Sequence, residues 1–379
     1  MDASSFRHRG PSVAVVLVLV ATTLVGLVVL APRVAAAGPF YAWGSICKGN
    51  PAVTWLTGDT WILNRSAVVD VGCVLTIEPG VTVKADPGVR LYVNGTLNAN
   101  GARGNMIDFL NNQTAVIAWA GIQFDGGSTG SVTWSNLTRV QVAVTARSSS
   151  PAINNNTILL AGGAIHLESS SSVVADNDID AHGIGAVGVL LTSSTATLNR
   201  NSINGTVVGI QTTTSGSARI LDNRLTNVSG TYALGMFIDH QSSVNITGNS
   251  IQGVFAKDAG VGAEGQTGAG ILVNATGTVI IRQNTMDTIR GGRGGDGANG
   301  GALAGSPGGN GGPAAGIAIG AATTVSIQGN TLTTIQGGRG GDGGSSNTLA
   351  GGNGGVGGLA LGIELFSATG NVSFLTNTI

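Results

Sequence analysis

The chain has 379 residues, 18 Lys and Arg against 19 Asp and Glu, a net charge of −1, and charged side chains at only 10% of positions. With three Lys in all and no basic patch, this balance excludes the electrostatic footprint of a nucleic-acid partner. Glycine fills 63 positions and no window beyond the N-terminal segment has helical periodicity, which excludes a helical bundle.

The first element is an export segment. Arg7 and Arg9 precede an uncharged apolar run from Val13 to Leu30, and the small residues Ala35-Ala-Ala37 suit signal peptidase. The run is long for a signal peptide and just long enough to span a bilayer as a helix. Residues 1–37 therefore read as a cleaved signal or as a retained N-terminal membrane anchor. Either reading puts residues 38–379 outside the cytoplasm, secreted or on the cell surface, with membrane contact only through an uncleaved segment. Ten Asn-x-Ser/Thr glycosylation candidates agree with export: Asn64, Asn94, Asn112, Asn136, Asn155, Asn204, Asn227, Asn245, Asn274 and Asn371. A chain rich in Asn, Ser and Thr also produces many such triplets by chance. The only two cysteines, Cys47 and Cys73, lie near the start of the exported part. An oxidising compartment favours one disulfide holding an N-terminal cap, against the alternative of two buried thiols.

From residue 135 onward one phrase recurs: a polar residue, usually Asn, any residue, then a bulky apolar one. It begins at Ser135, Asn156, Asn177, Asn201, Asn223, Asn249, Asn284 and Asn330, and a ninth instance begins at Asn377. The steps grow from 21 to 47 residues, the signature of a solenoid whose repeats stack on their neighbours. A second landmark, a small residue followed by alternating apolar residues, lies between the phrases, as in Gly121-Ile-Gln-Phe124 and Gly316-Ile-Ala-Ile319. From landmark to next phrase the distance stays at 13 to 15 residues, while from phrase to next landmark it runs from 6 to 32. All length variation therefore leaves the coil at one corner, and the loops stack on one face of the rod. Within the fixed half, apolar and polar residues alternate in short β-branched runs, which reads as strands and turns. Stacked coils place equivalent positions about 4.8 Å apart, so Ile, Val and Leu form internal ladders. The corner Asn tolerates left-handed φ, and stacked Asn side chains can bond one another along the rod.

This pattern resembles the right-handed parallel β-helix repeats of the pectate-lyase-like superfamily, of NosD-like and carbohydrate-binding or sugar-hydrolase type, and looks most like prokaryotic surface proteins. Leu75-Thr-Ile-Glu-Pro-Gly-Val-Thr-Val83, Leu91-Tyr-Val-Asn-Gly-Thr-Leu97 and Trp119-Ala-Gly-Ile122 look like first coils of that group. The expectation is an all-β, right-handed parallel β-helix of roughly a dozen coils. Residues 38–120 would form the cap and first coils, and 121–379 the regular coils, with Gly-rich loops at 291–313 and 337–358. A leucine-rich repeat is the rival solenoid; scarce Leu and a second strand in the variable half count against it.

Two clusters carry candidate chemistry. Stacking places Asp176, Arg200 and Asp222 in successive coils at the position before the Asn. The resemblance implies that outer-face carboxylates could act as acid and base or bind Ca²⁺, with Asp176, Asp178, Asp180 and His182 as the residues to try. The Asn-Thr-Asp, Asp-Asp, Gly-His-Gly and Arg-Ile-Lys set of polygalacturonases is absent, and the alternation of Asp with Arg reads as a structural surface ladder. In the second cluster, Gly291-Gly-Arg-Gly-Gly-Asp-Gly297 recurs 46 residues later as Gly337-Gly-Arg-Gly-Gly-Asp-Gly343, which puts Arg293 above Arg339 and Asp296 above Asp342. These four are the binding candidates, with calcium possible at Asp296 and Asp342 as the sole cofactor. Otherwise the glycines let two long loops lie flat together as extended strands without side chains to clash. The leading expectation is a non-catalytic adhesin, envelope component or glycan-binding protein, its partner an extracellular polysaccharide or cell-envelope component. The second is a polysaccharide lyase or glycoside hydrolase.

Overall fold

A computed structural model describes residues 39–113, 118–159, 162–181, 187–239 and 241–379, so the export segment 1–37 lies outside the described residues. Among those described there is no helix. Thirty-six strands form three 12-stranded sheets whose strands pair in parallel. Sheet A runs from Phe40–Tyr41 to Thr331–Gln336, sheet B from Gly44–Ser45 to Ala360–Leu365, and sheet C from Ala52–Trp55 to Val372–Leu375. In each sheet the hydrogen-bonded neighbour lies three strands further along the chain, so the backbone winds through A, B and C and returns to A. This is a parallel β-helix, and the three-sheet coil without helices rules out the leucine-rich alternative.

Alternation builds the core. The apolar residue two after each corner Asn faces inward from sheet A, where Ile158, Ile179, Ile203, Leu225 and Ile251 stand in register. The residue three before it does the same in sheet C, through Ile153, Val174, Leu198, Ile220 and Ile246. All ten are 0–1% exposed, each burying a side chain worth roughly 1.5–3 kcal/mol. Near the first coils, Trp61 stacks on Trp55 at 4.5 Å and on Phe40 at 4.8 Å. The Cys47–Cys73 disulfide ties the same end together, with Cα atoms 6.2 Å apart.

The C-to-A corner departs from expectation in one respect. The left-handed residue is not the Asn but the one before it: Trp134, Asn155, Asp176, Arg200, Asp222 and Gln283 have φ between 49° and 57°. That turn swings the next side chain inward, where Asn156, Asn177, Asn201, Asn223, Asn249 and Asn284 are each 1% exposed. The Nδ2 of Asn201 donates to Asn223 Oδ1 at 2.9 Å and to the Val174 carbonyl at 2.9 Å. Its Oδ1 accepts from the backbone N–H and the Nδ2 of Asn177, at 3.1 and 2.8 Å. The pattern repeats at every step from Asn156 to Asn330, so each buried amide is satisfied by the coils on either side. A second polar column, absent from the sequence reading, lines the B-to-C corner. Left-handed Ser148, Ser169 and Ser193 precede buried Ser149, Ser170 and Ser194, and Ser194 Oγ receives the Ser170 N–H at 3.1 Å. The recurring Ser pairs and triplets were its signal.

The A-to-B corner carries the length variation, as expected. Sheet A ends at Ala256, Arg290 and Gln336 in the last long repeats, and sheet B resumes at Gly268, Ala314 and Ala360.

Candidate functional site

Asp176, Asp178 and Asp180 lie on an open surface. Asp176 occupies the left-handed corner, and Arg200 holds its carboxylate with two hydrogen bonds, from Nε and Nη2, both at 2.7 Å. Asp222 adds only a longer-range attraction to that guanidinium. Asp178 and Asp180 point outward from the sheet A strand Asp178–Asp180, in register with Ser202 and Asn204 of the next coil and with Thr157 and Leu159 of the previous one. Asn204 Nδ2 donates to Asp180 Oδ1 at 3.1 Å. His182 lies outside the described residues.

The Gly-rich loops form something more ordered than flat strands. Three runs leave sheet A, at 257–262, 291–300 and 337–345, and three return to sheet B, at 263–267, 305–313 and 352–359. Their backbone pairing repeats every three residues, the period of a polyproline II helix, which bonds nothing within itself and leaves all its groups for neighbours. The N–H groups at the three positions of the Gly-Gly-x triplets take different directions. The first glycine donates along the rod: Gly291, Gly294 and Gly297 donate to the carbonyls of Gln336, Arg339 and Asp342 at 2.7–2.9 Å. The second donates across to a returning run, as Gly338 and Gly341 do to the carbonyls of Gly312 and Gly309 at 2.8 Å. At several x positions the N–H donates to a side chain of the previous loop. Arg293 N–H reaches Asp258 Oδ1 at 2.7 Å, Asp342 N–H reaches Asp296 Oδ1 at 2.8 Å, and Ser345 N–H reaches Asn299 Oδ1 at 2.9 Å.

The result is a two-layer slab of extended three-fold helices, and its interior admits only glycine. A Cβ on Gly294 would sit 2.0 Å from the Gly309 oxygen, and one on Gly341 would sit 2.1 Å from the Gly295 oxygen. Every third side chain points outward. On the outgoing runs, Arg293 Nη2 lies 2.5 Å from Asp296 Oδ1 and 3.1 Å from Asp342 Oδ2, and Arg339 Nη2 lies 3.8 Å from Asp342 Oδ1. The Asp342 N–H and, next, the Arg293 guanidinium hold the Asp296 carboxyl below its ordinary range. The guanidinium of Arg293 thus stands between the two carboxylates considered for calcium. Among the described residues no group of three or more His, Cys, Asp or Glu could hold a metal ion. On the returning runs Val356 and Leu359 are 67% exposed, and Asn310 Nδ2 donates to Glu264 Oε1 at 3.2 Å.

The sequence reading also missed a shallow groove of about 410 Å³ on the outer face of sheet A, lined by Arg224, Asn227, Gln252, Phe255 and Thr288. Phe255 lies two residues before the first outgoing run, so the groove adjoins the foot of the slab. An aromatic among planar polar side chains is a signal visible only once the coils are stacked. None of the ten glycosylation candidates is buried.

The architecture defines the class: a β-helix repeat protein with a glycine-rich slab on one corner. Residues 120–286 match the family described as "Right handed beta helix region", which agrees with the expected hand. Two solved structures are similar, both of mutant tailspike protein from the E. coli bacteriophage HK620. One, in complex with a pentasaccharide, is 13% identical over 74% of this chain and 55% of that chain, with a TM-score of 0.40. The other, a double mutant, is 12% identical over 86% of this chain and 60% of that chain, with a TM-score of 0.41. This chain thus spans little more than half the length of the tailspike chains it matches. Comparison with curated proteins gives no match.

Proposed function

We propose that this is an exported or cell-surface, non-catalytic β-helix that binds extracellular polysaccharide or a cell-envelope glycan through its glycine-rich slab. The observation that carries the reading is the division of labour inside the loops. Glycine backbones consume one another's hydrogen bonds, and every third side chain stands outward in columns at the coil spacing. Such a surface holds its polar groups in place before a ligand arrives, which lowers the entropy cost of binding. Arg339, whose side chain is 75% exposed, supplies a cation for acidic sugars, and the Phe255 groove adds an aromatic face at the foot of the slab. The Asp176–Arg200 pair supports a structural role for the acidic corner, because both carboxylate oxygens are already engaged by the guanidinium. The Cys47–Cys73 disulfide supports an oxidising compartment.

A glycan array probed with the full chain tests this. Binding to a subset of acidic glycans is expected, weakened about tenfold or more in Arg293→Ala/Arg339→Ala and lost on deleting residues 291–313. Turnover of a uronate or neutral polysaccharide that Asp178→Ala abolishes would overturn the non-catalytic reading.

A further inference from the structure

The outer face of sheet C carries cations without carboxylates. Its strands Ser217–Leu221, Ser243–Thr247, Thr278–Arg282, Thr324–Gln328 and Val372–Leu375 contain no Asp or Glu. Arg219 and Arg282 stand outward on that face. Elsewhere the guanidiniums of Arg147, Arg200, Arg293 and Arg339 are each paired with a carboxylate. Among the described residues Arg282 has instead the Ser326 hydroxyl of the next coil, 3.3 Å from its Nη2. Arg282 borders a groove of about 480 Å³ that passes from this face onto the C-to-A corner, where Asn245, Ile280, Gln283, Gln328 and Gly329 also line it. Its walls come from successive coils on the side of the rod, so stacking at either end leaves it open.

One missing side chain opens the groove. At the corner position before each Asn, the residues Asn155, Asp176, Arg200, Asp222, Gln283 and Thr376 are left-handed, with φ of 50–57°. Gly248 and Gly329 leave that position bare, at φ of 72° and 64°. Over Gly248 the space is taken, because a Cβ there would lie 2.1 Å from Asp222 Oδ1. At Gly329 a Cβ would meet nothing closer than Gln283 Cγ, at 3.7 Å. Neither space nor backbone therefore demands glycine at 329, since other side chains hold the same turn. What glycine provides there is a notch between Gln283 and Thr376, continuous with the groove.

We infer that this groove binds a sugar unit bearing a carboxylate or a sulfate. The guanidinium of Arg282 presents the fork of N–H donors that takes an oxyanion through two hydrogen bonds. The carboxamides of Asn245, Gln283 and Gln328 each donate and accept, as sugar hydroxyls do, and Ile280 offers an apolar surface to ring C–H groups. A strand face without carboxylates repels a metal cation and favours an anion. The volume falls within the roughly 300–1,000 Å³ of small-ligand sites. The site is separate from the slab: neither Arg293 nor Arg339 takes part, and it holds whether or not the slab binds glycan.

The test uses the full chain carrying Arg293→Ala/Arg339→Ala, so that the slab's cations contribute nothing. Isothermal titration should show saturable binding of a hexuronate trisaccharide or a sulfated hexose trisaccharide. A further Arg282→Ala should weaken it about tenfold or more, and so should Gly329→Asn, which fills the notch with the residue that holds the same turn at Asn155. Arg282→Ala should unfold at the same temperature as its parent. No saturable binding of either trisaccharide, or binding unchanged by Arg282→Ala, overturns the proposal. Binding by the natural chain that disappears in the Arg293→Ala/Arg339→Ala background supports the slab reading and overturns this one. Equal binding of a neutral trisaccharide overturns the choice of an anionic sugar. Inorganic sulfate binding as tightly as the sulfated trisaccharide overturns the choice of a saccharide.

Discussion

Replacing Asn201 by alanine lowers the stability of the rod by roughly 3–5 kcal/mol, far more than a surface Asn would, because it strands several buried polar groups at once. The change removes the acceptor for the Asn177 N–H and one amide hydrogen, and the donor to the Val174 carbonyl and Asn223 Oδ1. These groups face a core in which the Asn side chains are 1% exposed, so water cannot replace the lost partners without opening the coil. Asn201→Asp is no rescue: it keeps an oxygen for Asn177 but turns a carboxylate toward the Val174 carbonyl. Urea unfolding of the two variants against the parent reads the effect. A loss below about 1 kcal/mol for Asn201→Ala would mean that the ladder is not a main source of stability. In a solenoid each coil contacts only its neighbours, so the extra hydrogen exchange should centre on coils 174–225.

The second large effect is expected at Gly294. Its added Cβ would overlap the Gly309 oxygen at 2.0 Å, and the obstacle is backbone, which cannot rotate away as a side chain does. Separating the two runs also parts Gly309 N–H from the Gly295 carbonyl and Gly312 N–H from the Gly292 carbonyl, each now 2.8 Å. Gly294→Ala should therefore open the slab at a cost of roughly 3 kcal/mol or more while leaving the sheets intact. Limited proteolysis would then cut within 291–313 and 337–358, with the β-sheet circular dichroism unchanged. A variant as protease-resistant as the parent would show that the loops are not packed backbone to backbone.

These two sites differ in how far the sequence disclosed them. The Asn column was legible because a structural position of fixed identity repeats at the coil period, and its spacing from Ile153 or Ile158 fixed the inward faces as well. Its detail was not. The left-handed residue proved to be the one before each Asn, since the turn varies in side chain and therefore left no repeated letter. The glycine runs were legible as stacked loops from the 46-residue offset of Arg293 and Arg339. Their three-fold helical order was harder to read, because glycine is compatible with many backbones and identity alone does not choose among them. The clue lay in the Gly-Gly-x triplets, whose meaning appears only when each N–H is traced to a partner. The Phe255 groove had no sequence signal, since its residues come from three coils.

Backbone amide hydrogen exchange, resolved residue by residue across 291–313 and 337–358, tests most directly whether this slab exists as a built surface. The structure predicts slow exchange at Gly292, Gly295, Gly338 and Gly341, comparable with the adjoining strands. Uniformly fast exchange across both loops, at the rate of an unstructured chain, would contradict it.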